Sequence, residues 1–178
     1  MTSTTTSGWD ALAKRLDNIK KPVRTFKLCD DPDIRDRYLA ATRNAEQAEA
    51  YVKSLDKEAD PAARTVVEQE AAQAKAALSA AKKAYDAHTI VLRFTALEQQ
   101  QLEDLQKEHP ASEEDESAGN DFAFDTFAPA LISAASLDGM PVEDAARFLK
   151  TWTSADARDL WNAAWSIQHT RRTDLGKG

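Results

Sequence analysis

Cysteine is nearly missing: the single Cys29 excludes a disulfide framework and any metal site built from several thiolates. Glycine and proline are scarce, five and six in 178 residues, too few to punctuate a many-stranded sheet. Bases are outnumbered, with 23 Lys and Arg against 30 Asp and Glu. The resulting net charge of -7 argues against a general duplex-binding protein, because phosphate contacts need clustered cations. No nucleic-acid partner is expected. No stretch approaches the roughly 20 apolar residues that span a bilayer. Met1–Ser7 is rich in Thr and Ser and has no apolar leader core. A soluble, cytoplasmic protein without a membrane partner is therefore expected.

Alanine and charge dominate what is there. Ser7 and Asp10 are spaced as a capping box, and Trp9, Leu12, Leu16 and Ile19 follow at helical spacing up to Pro22, which predicts a short amphipathic helix. Val23–Cys29 and Thr89–Phe94 are the two strand candidates. Between them, Asp31-Pro32 and Asp60-Pro61 each place an N-cap carboxylate before a proline at the first helical position, so two long helices begin there. Ile34, Tyr38, Ala41, Ala45, Ala48, Val52 and Leu55 keep a 4-3 spacing on the first, and Val67, Ala71, Ala74, Leu78, Ala81, Tyr85 and His88 keep it on the second. Folded about the Asp60-Pro61 turn the two seams match, pairing Tyr38 with Tyr85 and Ala48 with Ala74. Residues 32–88 should then form an antiparallel hairpin roughly 40 Å long. High helix propensity alone also accounts for the alanines, but not for the matched register.

Thr95 and Glu98 suggest a capped helix ending at His109-Pro110. Residues 110–121, with Glu113-Glu114-Asp115-Glu116, read as a solvated acidic linker. Three short helices are predicted beyond it: Phe122 to about Ser136, Pro141 to Thr151 or Trp152, and Ser154 to about Gln168, the last capped by Thr153 with Asp156. The expected fold is mainly α, a long antiparallel helical hairpin flanked by two short strands and followed by a small helical bundle. Its expected divisions are a disordered tail (1–8), an N-terminal module (9–109), the linker (110–121), a C-terminal module (122–170) and a flexible end (171–178).

Catalytic motifs are missing. There is no glycine-rich phosphate loop, HExxH, GxSxG or CxxC, and His88, His109 and His169 lack the i, i+4 spacing of a helical metal site. Cys29 precedes two acids, which disfavours a thiolate. The chain reads as a non-enzyme with no cofactor and no metal. The first 29 residues carry +4, suited to an acidic partner, to the chain's own hairpin, or to that of a neighbouring copy; an ordinary solvated face explains it equally.

The order of parts, with LRFTAL (Leu92–Leu97), LEDLQKEHP (Leu102–Pro110), an acidic stretch, FDTFAPALI (Phe124–Ile132) and a Trp-bearing helix pair, resembles the tail assembly chaperones of long-tailed bacteriophages of actinobacterial hosts. The resemblance implies a non-enzymatic protein that binds the apolar helical tape measure protein, keeps it soluble, helps recruit the tail tube protein and is not kept in the mature virion. It also implies a programmed frameshift, for which Gly176-Lys177 would mark the slippery codons. An apolar helix needs an aromatic and aliphatic groove. Phe124, Leu149 and Leu160 add to the available groups, and the partner-binding set is Phe122, Phe127, Leu131, Phe148, Trp152, Trp161 and Trp165. A core role accounts for most of these, with Trp161 and Trp165 the better candidates for exposure. The alternatives are a structural virion protein, in tail or connector, that uses the hairpin as an assembly arm, and a regulatory hairpin adaptor unrelated to phage.

Overall fold

The two runs of β-formers pair into a two-stranded antiparallel sheet, β1 (Val23–Cys29) with β2 (Thr89–Thr95), as their Val, Ile and Phe content favours. Everything else regular among the described residues is helical. The computed structural model describes residues 8–55, 60–117, 119 and 121–171. Among them the order is α1 (Gly8–Asp17), β1, α2 (Pro32–Ser54), α3 (Pro61–Ala87), β2, α4 (Gln99–Glu108), α5 (Glu113–Ser117), α6 (Phe124–Ala135), α7 (Val142–Thr151) and α8 (Ser154–Gln168). The capping role expected of Ser7 and the Gly176-Lys177 pair lie outside the described residues.

The mainly-α fold is as the sequence implies, but its division is not. Contacts group the chain into two units, one running up to Phe26 and resuming at Leu92, the other Lys27–Val91. The expected break at 110–121 is thus replaced by a break within each strand. The physical reason is where the strands bury their side chains: Phe26 and Phe94 are both buried, Phe26 stacks on Trp152 with centroids 6.0 Å apart, and Phe94 bridges to Ser136.

In unit 2, Asp31 caps α2 by accepting hydrogen bonds from the N–H groups of Asp33 and Ile34, with Pro32 at the first position. Asp60 caps α3 more weakly, through Ala62 N–H at 3.4 Å. α2 and α3 are antiparallel, since Tyr38 near the start of one stacks on Tyr85 near the end of the other, centroids 4.5 Å apart. Thirteen seam positions, Ile34 through Leu55 and Val67 through Tyr85, are half-buried, and neither helix buries any residue fully. His88 departs from the seam. It is exposed at the C-cap of α3, where its Nδ1 lies 2.9 Å from Asp30 Oδ1, because the helix ends at Ala87 and the chain must turn into β2.

Unit 1 holds the core. Phe94, Phe127, Leu131, Ile132 and Leu160 are completely buried among α6, α7, α8 and β2. The α6–α7 turn lies alongside β2: Leu137 N–H donates to Arg93 C=O, and the Asp138 carboxylate takes both the Arg93 N–H and its guanidinium. Gly139 allows this turn by adopting φ +73. Gln168 at the end of α8 accepts from Leu97 N–H and donates to Ala164 C=O and Thr95 C=O, so the last helix is fastened to the end of the second strand.

Two local readings are corrected. Thr95 belongs to β2, not to a cap; Glu98 is the N-cap residue of α4, and Gln101 accepts from its N–H. The acidic linker contains α5. Ser112 and Asp115 form the start of this turn through reciprocal hydrogen bonds, and the Ser112 hydroxyl and N–H hold the Asp115 carboxyl below the usual range.

Candidate partner-binding surface

Aromatic rings of unit 1 gather in two clusters, and three local devices aim the rings of the first. The first is the antiparallel bridge Pro110–Phe122, reinforced by Ala123 N–H donating to His109 C=O, which sets the Phe122 ring 4.2 Å from Phe127. The second is the α8 cap, where Thr153 Oγ1 accepts from Asp156 N–H. That start phases Trp161 and Trp165 one turn apart on a single face. Their rings are stacked, 5.2 Å apart at 14°. The third is the C-cap His169, whose ring meets Trp165 edge-on at 4.5 Å.

The first cluster has a floor and a rim. Phe127 is the floor, fully buried, with edge contacts to both tryptophans. Phe122, Trp161 and Trp165 are half-buried, and exposed Phe124 meets Trp161 edge-on at 5.1 Å. The second cluster stacks Phe148 on Trp152 at 4.6 Å and Trp152 on Phe26, with the Arg147 guanidinium 4.3 Å above the Phe148 ring. Phe148 and Trp152 are half-buried.

Of the residues expected to bind a partner, Phe127 and Leu131 are therefore core: both have no exposed surface and cannot meet a partner without unfolding. Leu160 is buried as well. Phe122, Phe148, Trp152, Trp161 and Trp165 each retain exposed surface. Phe124, left out of the expected set, is the most exposed phenylalanine or tryptophan of its cluster; its position two residues after Phe122, at the start of a helix with no side-chain cap, was the available signal. His169 was missed because its role comes only from ring contact with Trp165.

What the surface offers chemically is apolar ring area edged by acid, with Asp121 and Asp125 beside Phe122 and Phe124 in the chain. Among the described residues no three His, Cys, Asp or Glu side chains group as metal ligands, and no helix is long and apolar enough to cross a membrane. Cys29 Sγ lies 3.2 Å from Asp31 C=O, within the turn before α2. No family model matches the chain, nor does any curated protein or solved structure.

Proposed function

We propose that the protein is a non-catalytic assembly chaperone for the tails of long-tailed phages, acting in the host cytoplasm. In this reading it holds the apolar helical tape measure chain soluble, helps bring tail tube subunits to it and leaves before the virion matures. The observation that carries the reading is the ledge of Phe124, Trp161 and Trp165, ring surface kept partly open on a folded bundle. Interface hot spots are enriched in Trp for this combination of large area and low entropy cost. Acidic surroundings keep a complex with an apolar client in solution.

One observation favours the structural-virion alternative: the hairpin buries no residue fully along two helices of 23 and 27 residues, as suits an arm completed by another protein. Co-expression with a tape measure fragment tests the first reading. The fragment should stay soluble and co-purify with this protein, which should be missing from finished particles. Insoluble fragment in both the presence and absence of the protein would refute the chaperone role, and its retention in particles would favour the structural one.

A further inference from the structure

Unit 1 carries two exposed surfaces of opposite charge. The first is α1. At 100° per residue, Trp9, Leu12 and Leu16 share one face, and Ile19 follows in the turn that returns to Leu16 C=O. Their exposures are 66, 49, 54 and 50%, and α1 has no buried residue. A helix of ten residues with about half or more of its apolar face in water is marginal by itself. Residues 8–21 hold Lys14, Arg15, Lys20 and Lys21 against Asp10 and Asp17, a net +2, of which Lys21 already pairs with Glu98 of the same chain at 3.4 Å.

The second surface is the aromatic ledge and the acidic stretch leading into it. Residues 98–125 contain ten acids and one lysine, a net -9 that exceeds the -7 of the entire chain. Glu103, Glu116 and Asp121, against the single cation Lys107 among the described residues, line a groove of about 710 Å³ beside α4, and Pro110, on the same groove, is bridged to Phe122 of the aromatic cluster. The hairpin is nearly neutral by comparison, with ten acids and nine bases over residues 32–88. It therefore does not supply the acidic counterpart to the basic start.

We propose that α1 of one copy docks on the aromatic ledge and acidic groove of a second copy. Trp9, Leu12 and Leu16 would lie against Phe124, Trp161 and Trp165, and Lys14 and Arg15 would face the groove carboxylates. One such contact is small: α1 is about 15 Å long at 1.5 Å per residue, short for the roughly 800 Å² per partner of a stable interface. Reciprocal exchange, each copy giving one helix and receiving one, doubles the area and closes as a two-fold dimer. Resting on the chaperone reading, the docked helix also covers the ledge until an apolar client displaces it.

Sedimentation equilibrium of the full chain at low salt should give a dimer that weakens as salt is raised. The double variant Leu12→Glu, Leu16→Glu should weaken it at least about tenfold and still melt cooperatively, with a midpoint matching that of the dissociated wild-type chain at low concentration, because α1 contributes no residue to the buried core. Glu116→Lys with Asp121→Lys should weaken it too. A labelled peptide of residues 8–21 should bind the Leu12→Glu, Leu16→Glu chain, whose ledge is uncovered. A wild-type chain that stays monomeric, a dimer untouched by the α1 variant, or a peptide that does not bind would each overturn the proposal. Capture of a tape measure fragment by the double variant is scored separately, so failure of self-docking and failure of client binding are told apart.

Discussion

Arg93 grips Asp138 twice over: its guanidinium Nη2 lies 2.6 Å from Oδ1 while its own backbone N–H donates to Oδ2 at 2.7 Å. The pair fastens β2 to the α6–α7 turn, 45 residues further along the chain. The Arg93 side chain, and then its backbone N–H, hold the Asp138 carboxyl below its ordinary range. A carboxylate lowered in this way adds stability that is present above its unfolded value and is lost as pH falls through the folded one.

Asp138→Ala should therefore lower the melting temperature at neutral pH. The gap from wild type should narrow as pH drops below roughly 4, where the unfolded-state carboxyl protonates. A gap that stays constant across an acid titration of melting temperature would show that the ion pair is not its source.

At Gly139, in the same turn, an added Cβ meets nothing within 4 Å, so the whole penalty of Gly139→Ala is its φ of +73. A cost of about 1 to 2 kcal/mol by chemical denaturation is expected. A much larger loss would mean that the turn cannot relax around the new side chain.

In the hairpin, Ala48 is half-buried on the seam. Ala48→Glu should cost about 1 to 3 kcal/mol through crowding and desolvation, lowering helicity measured by circular dichroism. Unchanged helicity and an unchanged melt would refute the seam register at that position.

Phe127 and Trp165 touch each other, centroids 6.0 Å apart, yet should separate cleanly by experiment. Phe127→Ala empties a fully buried site and should cost about 3 to 5 kcal/mol of stability. Trp165→Ala should leave a cooperative fold and weaken capture of an apolar helical partner by more than about 1 kcal/mol in a quantitative pull-down. Equal destabilisation by both would move Trp165 from surface to core.

The long-range architecture was legible where a period repeats. The 4-3 spacing carried enough turns to fix the hairpin register, down to Tyr38 against Tyr85, and the two Asp-Pro pairs fixed both helix starts. What escaped was tertiary. Phe26 and Phe94 look like ordinary strand residues, and only their burial against the bundle shows that the strands divide between two units. Helix α5 was hidden by its own charge run, although Ser112 and Asp115 already stood at capping-box spacing. At the surface, aromatic content marked the right segment but could not separate floor from rim. Phe127 and Trp161 differ in exposure because α6 turns one inward and α8 leaves the other at the edge.

The hydrogen bond from Asp30 N–H to His88 C=O, 3.0 Å long, means that the hairpin leaves and rejoins the sheet through neighbouring residues. Residues 31–87 are thus one closed excursion of the chain. Loop-closure entropy grows only logarithmically, at about 0.6 kcal/mol per doubling of length, so the strand pair is nearly indifferent to how long that excursion is. Lengthening or shortening both helices by matched heptads changes the length of the hairpin while asking almost nothing of the bundle's stability. The same entropy makes Cys29 and Thr89 a natural pair of sites for splicing in a tight turn, which would isolate the bundle for study without the hairpin.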